Sequence, residues 1–155
     1  MIKINKSNYE FYKEIFTIIW EFEAKYAKMD PKAEFSPVNV LRNWEKESES
    51  LARKGLREGL RDSLTGLKDL PNDLKTELNN NLTSKKFPSL NILTSQIKNL
   101  PKKVLEKKKI KNLDEYYIIK EVLNDLEYGI TESQRTELNK IFGEFERNYI
   151  EKNAS

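Results

Sequence analysis

The chain contains no cysteine and no histidine. Without cysteine there is no disulfide, no thiolate nucleophile and no soft metal ligand, a composition that leans towards a reducing compartment. Without histidine the commonest general base and the imidazole metal ligand are missing as well. Glycine is scarce, five in 155 residues, and nowhere has the spacing of a phosphate-cradling loop. Long apolar runs are absent too. The nearest, Ile15-Phe16-Thr17-Ile18-Ile19-Trp20, is flanked by charge and falls far short of the roughly 20 residues of a membrane span. The N-terminus has no secretory cleavage pattern. Together these absences predict a cytoplasmic protein that is not an enzyme, with no cofactor, no metal and no membrane partner.

What is present is helix-forming and polar. A length of 155 residues suits a single helical domain, 1–155, large enough to bury roughly 70% of its unfolded surface. Hydrophobic residues make up 37% and charged residues 34%, but seven Phe, seven Tyr and two Trp supply core anchors that a disordered chain lacks. The net charge of +3 is unevenly spread. Residues 102–111 hold six Lys and one Glu, whereas residues 112–155 hold ten acidic and five basic residues. Such asymmetry bears on partners, not on fold.

Periodicity and capping signals predict an all-α bundle of about six to seven helices ending in a helical hairpin. Met1 to Lys6 has no partner strand and reads as irregular. Ser7 and Glu10 form a capping box for a helix to about Lys28, with Phe11, Ile15, Ile18, Ile19, Phe22 and Tyr26 on one face. Asp30-Pro31 breaks it. Ser36-Pro37 restarts the chain, followed by Val40, Leu41, Trp44, Leu51, Leu56, Leu60, Leu64 and Leu67 in one helix or in two divided near Ser48 to Ser50. Gly55, Gly59 and Gly66 each cost about 1 kcal/mol of helix propensity, and either permit close approach or weaken the helix. Leu70, Leu74, Leu78 and Leu82 mark another helix, ended by Asn79-Asn80-Asn81 and Thr83-Ser84. Leu90, Leu93, Ile97 and Leu100 make a short one, and Pro101 opens a basic turn through Lys109.

The hairpin is the clearest unit. Asn112 caps a helix carrying Leu113, Tyr116, Ile119, Leu123 and Leu126, and Gly129 is the expected left-handed stop. Thr131 and Gln134 form a capping box for a second helix striped by Leu138, Ile141, Phe142, Phe145 and Tyr149. If the first stripe faces inward, the opposite face shows Asp114, Ile118, Glu121, Asp125 and Tyr128. Apolar and aromatic residues within a carboxylate rim suit an interface with a basic protein. Coverage of Ile118 and Tyr128 by another helix is the competing reading.

Two basic clusters support a different function. Arg53, Arg57 and Arg61 stand four residues apart, as phosphate recognition would use them. Surface ion pairing, Glu49 with Arg53 among others, explains them more simply. Lys102, Lys103, Lys107, Lys108, Lys109 and Lys111 form the densest run, but no aromatic base-stacking residue interrupts it, so a solvated connector is the plainer reading. Asp114-Glu115 and Asp125 with Glu127 have the chemistry to hold a hard cation, yet acidic residues on a solvated helix account for them.

Beyond these separate features, one combination resembles a family. Ser50-x-Ala52-Arg53-x-x-Leu56 with Asp62, Ser89-Leu90, Ile110-x-Asn112, Glu115-Tyr116-Tyr117, Asn124-Asp125 and Phe142-x-x-Phe145-Glu146 resemble the small helical immunity proteins of bacterial contact-dependent growth inhibition and related polymorphic toxin systems. The resemblance spans roughly residues 50–146. It implies a cytoplasmic antitoxin that binds one cognate toxin domain and blocks its active site or its access to substrate. Many such toxins are nucleases, whose basic groove an acidic protein plugs best; the net positive charge here departs from that pattern. Nucleic-acid binding through the basic clusters is the alternative. A homodimer formed by the Phe11–Tyr26 stripe stays open.

Overall fold

Serine caps set the first helix junctions. In the computed structural model, which describes residues 3–153, the Ser36 hydroxyl accepts the Asn39 N–H at 3.2 Å, with Pro37 at the first helical position. Ser48 is extended (φ −163°, ψ 127°), and its hydroxyl accepts the Leu51 N–H at 3.3 Å. One residue thus ends one helix and caps the next, so the stretch after Pro37 is two helices. Eight α-helices follow in order among the described residues: α1 Tyr9–Tyr26, α2 Pro37–Glu47, α3 Glu49–Gly66, α4 Asn72–Ser84, α5 Leu90–Lys98, α6 Leu100–Lys107, α7 Leu113–Asn124 and α8 Glu132–Asn153. A 3-10 turn, Leu67–Asp69, follows α3. The fold is all-α. None of the described helices is long and apolar enough to cross a membrane.

Among the described residues the chain divides into two compact units, residues 3–90 and 91–153. In the first, α1 packs against α2, α3 and α4, and α2 packs against α3. Helix α3 buries Ala52, Leu56, Leu60 and Leu64. Its glycines on the same side admit rings from two neighbours: a Cβ on Gly55 would overlap the Trp44 ring of α2, and one on Gly59 would meet Phe16 of α1 at 3.0 Å. Close approach is therefore the role of both. Gly66 has nothing within 4 Å.

Helix α1 departs from expectation at both ends. No Ser7–Glu10 capping box forms; the Ser7 hydroxyl lies 2.6 Å from Asn5 Oδ1, which also accepts the N–H groups of Ser7 and Asn8. An Asn5–Asn8 turn has displaced the cap. Of the expected irregular segment Met1–Lys6, Met1 and Ile2 lie outside the described residues, and the remainder is neither helix nor strand. Because three helices pack on α1, its buried arc runs through Ile15, Phe16, Ile19, Phe22 and Ala24, while Phe11 and Tyr26 lie exposed. The helix stops before Asp30-Pro31. Lys28 turns left-handed (φ 57°), its N–H reaches the Lys25 carbonyl, and the Met29 N–H reaches the Ala24 carbonyl at 2.7 Å. That is a Schellman stop built on lysine in place of glycine. Lys86 (φ 65°) repeats it after α4, with the Phe87 N–H on the Leu82 carbonyl. Accordingly, Asn79-Asn80-Asn81 do not end α4 but lie inside it, where the Asn79 side chain accepts the Leu90 N–H at 2.9 Å.

In the second unit, α6, α7 and α8 enclose Leu100, Val104, Ile110, Ile119, Leu138 and Ile141. Asn99 is left-handed (φ 49°), which separates α5 from α6 and assigns Leu100 to α6. Asn112 caps α7, accepting the Glu115 N–H at 2.9 Å. Thr131 and Gln134 form the reciprocal capping box of α8 at 2.9 and 3.1 Å. Gly129, however, does not stop α7: no described glycine has positive φ, and the helix ends at Asn124 with Asp125 extended. The Arg135 guanidinium supplies the missing partners, donating to the Leu123 and Asp125 carbonyls at 2.8 and 3.1 Å. Leu126, assigned by periodicity to the inner stripe, is 86% exposed.

Candidate functional site

The α7–α8 pair is organised by a stacked aromatic array. Tyr116 lies parallel to Phe142 (centroids 4.7 Å apart) and stacks on Phe145 at 5.3 Å. Phe145 in turn stacks on Tyr149 at 6.0 Å. The Tyr116 hydroxyl donates to Glu146 at 2.9 Å, which fixes the ring's rotation. Burial, followed by the Glu146 hydrogen bond and charge, pushes its pKa above the usual tyrosine value. Tyr117 meets the edge of Tyr116 at 5.2 Å and stands 55% exposed. A rigid aromatic platform therefore supports one outward tyrosine.

The five residues expected on the outer face do not share it. Asp114 is exposed on the first turn of α7, where its charge also suits the helix dipole. Glu121, two turns on, is half-buried and makes no ion pair within the described residues. Ile118 is partly buried against the Ile119–Leu138–Ile141 core. Asp125 and Tyr128 lie beyond the end of α7, so helical spacing no longer governs them. The Asp125 carboxylate accepts the Glu127 N–H at 3.0 Å as a turn residue. Tyr128 points inward, its hydroxyl 2.8 Å from that of Ser95, a fully buried serine. Burial raises the Tyr128 pKa, partly offset by the Ser95 hydrogen bond. What remains outward on α7 is Asp114, Tyr117 and Lys120, flanked by Leu113 and Asn124. Tyr117 stands outward although helical spacing does not assign it to the outer face. Its pairing with Tyr116 is the available signal, since adjacent helical positions cannot both face the core.

The basic clusters also separate. Arg53 is half-buried and stands 3.8 Å from Glu49, whereas Arg57 and Arg61 are exposed without an ion pair among the described residues. They do not form one free guanidinium ladder. Lys107, Lys108 and Lys109 are all exposed, as are Lys102 and Lys103, opposite the buried Leu100, Pro101 and Val104 of α6. Lys108 ends α6 in the left-handed conformation (φ 55°). No group of three or more carboxylates among the described residues is placed to hold a metal ion.

A cleft in the first unit, about 370 Å³ in volume, is lined by Lys6, Tyr9, Glu10, Glu45, Glu49, Ala52 and Arg53. Lys13 donates to both oxygens of Glu45 at 2.8 and 2.9 Å. The Tyr9 hydroxyl is buried, next to Glu45. Its pKa is raised, first by burial and then by the negative charge of Glu45.

Compared with protein-family models, curated proteins and solved structures, the chain finds no match.

Proposed function

We propose that this chain is a non-enzymatic, immunity-type antitoxin that neutralises a cognate bacterial toxin domain in the cytoplasm by direct binding. The observation that supports it most is Tyr117, 55% exposed on the aromatic platform and carried on the same helix as Asp114 and Glu121. A tyrosine offers large contact area at little entropic cost, and the exposed Asp114 one turn before it steers a basic partner surface. The acidic excess of residues 112–155 answers the difficulty posed by the net positive charge, because docking is local.

The test is co-expression with the toxin-like protein encoded beside this one. The wild-type chain restores growth, and Tyr117→Ala combined with Asp114→Lys and Glu121→Lys weakens rescue while leaving the helical circular-dichroism signal intact. Full rescue by the triple variant removes α7 as the contact face. Absence of any neighbouring toxin, or of rescue by the wild type, removes the function.

One observation favours a second reading, nucleic-acid binding: Lys102, Lys103, Lys107, Lys108 and Lys109 are exposed with no carboxylate within ion-pair distance among the described residues. Affinity for DNA or RNA would then fall steeply with salt as condensed counterions are released. Failure to bind either polymer at low ionic strength discards it.

A further inference from the structure

We propose that the cleft of the first unit is a binding site for a free α-amino acid, its carboxylate held by Lys6 and Arg53 and its ammonium by Glu10. Lys6 Nζ and Arg53 Nη1 both lie 3.8 Å from the same oxygen of Glu49, Oε2. Two cations thus converge on one carboxylate oxygen at a distance beyond hydrogen bonding, so their donors remain free. Glu49 holds that position loosely. Its side chain is 75% exposed, and as the first residue of α3 it can swing into solvent without disturbing the helix. The Glu49 carboxylate therefore marks where an incoming carboxylate sits, at a helix N-terminus whose dipole favours negative charge. A planar guanidinium accepts such a group in two-point fashion.

The rest of the lining selects for both charges at once. Of the three carboxylates, Glu45 is neutralised by Lys13 and Glu49 is the group displaced, which leaves Glu10 for the ligand ammonium. A plain anion would face Glu10 unpaired, and a plain cation would face Lys6 and Arg53. Ala52, 1% exposed, gives the floor no bulk, and about 370 Å³ is at the small-molecule end of ligand sites.

The experiment is isothermal titration of the full chain with the L-amino acids one at a time, with acetate and ethylamine as half-ligands. At least one amino acid binds saturably at millimolar concentration or below, and both half-ligands bind more weakly. Glu49→Gln tightens binding several-fold, because the built-in competitor is gone. Arg53→Gln abolishes it; should circular dichroism show that variant unfolded, Lys6→Gln, at an exposed position, must weaken binding several-fold. The proposal is overturned if no amino acid binds the wild type or Glu49→Gln, if acetate binds as tightly as the best amino acid, or if Glu49→Gln weakens binding.

Discussion

Replacing the three glycines of α3 by alanine, one at a time, should split a uniform chemical change into three outcomes. Each substitution removes unfolded-state freedom and gains about 0.5–1 kcal/mol wherever the native site accepts a methyl group. Gly66 accepts it: its backbone is helical (φ −65°, ψ −32°) and a Cβ meets nothing within 4 Å. Gly66→Ala should therefore stabilise by close to that amount. At Gly59 the new Cβ lies 3.0 and 3.1 Å from two carbons of the Phe16 ring. A few tenths of an ångström of ring movement consumes the gain, for a net effect near zero. At Gly55 the methyl group overlaps the Trp44 ring, and overpacking costs about 1–3 kcal/mol. The net loss is about 1–2 kcal/mol, a fall in Tm of roughly 4–16 °C for a unit of this size. Both tryptophans, Trp20 of α1 and Trp44 of α2, lie in the first unit, so fluorescence-monitored urea unfolding reads this unit alone. The α2–α3 approach is refuted if Gly55→Ala proves as stable as Gly66→Ala.

Other substitutions probe separate features. Lys28→Gly and Lys86→Gly relieve left-handed lysines at φ 57° and 65°, and each should raise stability by about 1 kcal/mol in urea melts; loss of stability would mean the side chains contribute contacts. Glu23 has a buried carboxylate oxygen with no partner among the described residues and a pKa raised by burial above the ordinary 4.5. Its charge therefore destabilises the fold above that pH and has no effect once both folded and unfolded states are protonated. Glu23→Gln should raise Tm at pH 7, and the gain should fade as pH falls through the raised folded-state value and be gone below about 4.5; a pH-independent gain would contradict this origin. Tyr128→Phe leaves the buried Ser95 hydroxyl without its 2.8 Å partner and should cost about 1–3 kcal/mol, measured as a shift in the unfolding midpoint. An unchanged midpoint would mean that another group or water satisfies Ser95.

The class of fold and several helix starts were legible from sequence because their causes are local. Ser36, Asn112 and Thr131 each cap a helix through a donor three residues away, a distance over which residue type alone carries the geometry. The acidic positions Asp114 and Glu121 could be placed on α7 for the same reason, by helical repeat. Tertiary structure decided the rest. Three packing helices set the buried arc of α1, Arg135 ends α7 from twelve residues downstream, and Ser95 draws Tyr128 inward across 33 residues. Tyr117 stands outward because its neighbour Tyr116 is engaged by Phe142, Phe145 and Glu146 of another helix. The cleft of the first unit, likewise, joins residues from 6 to 53 that no local pattern relates. Periodicity says which residues share a face. Only contacts between elements say which way that face turns and where the helix stops.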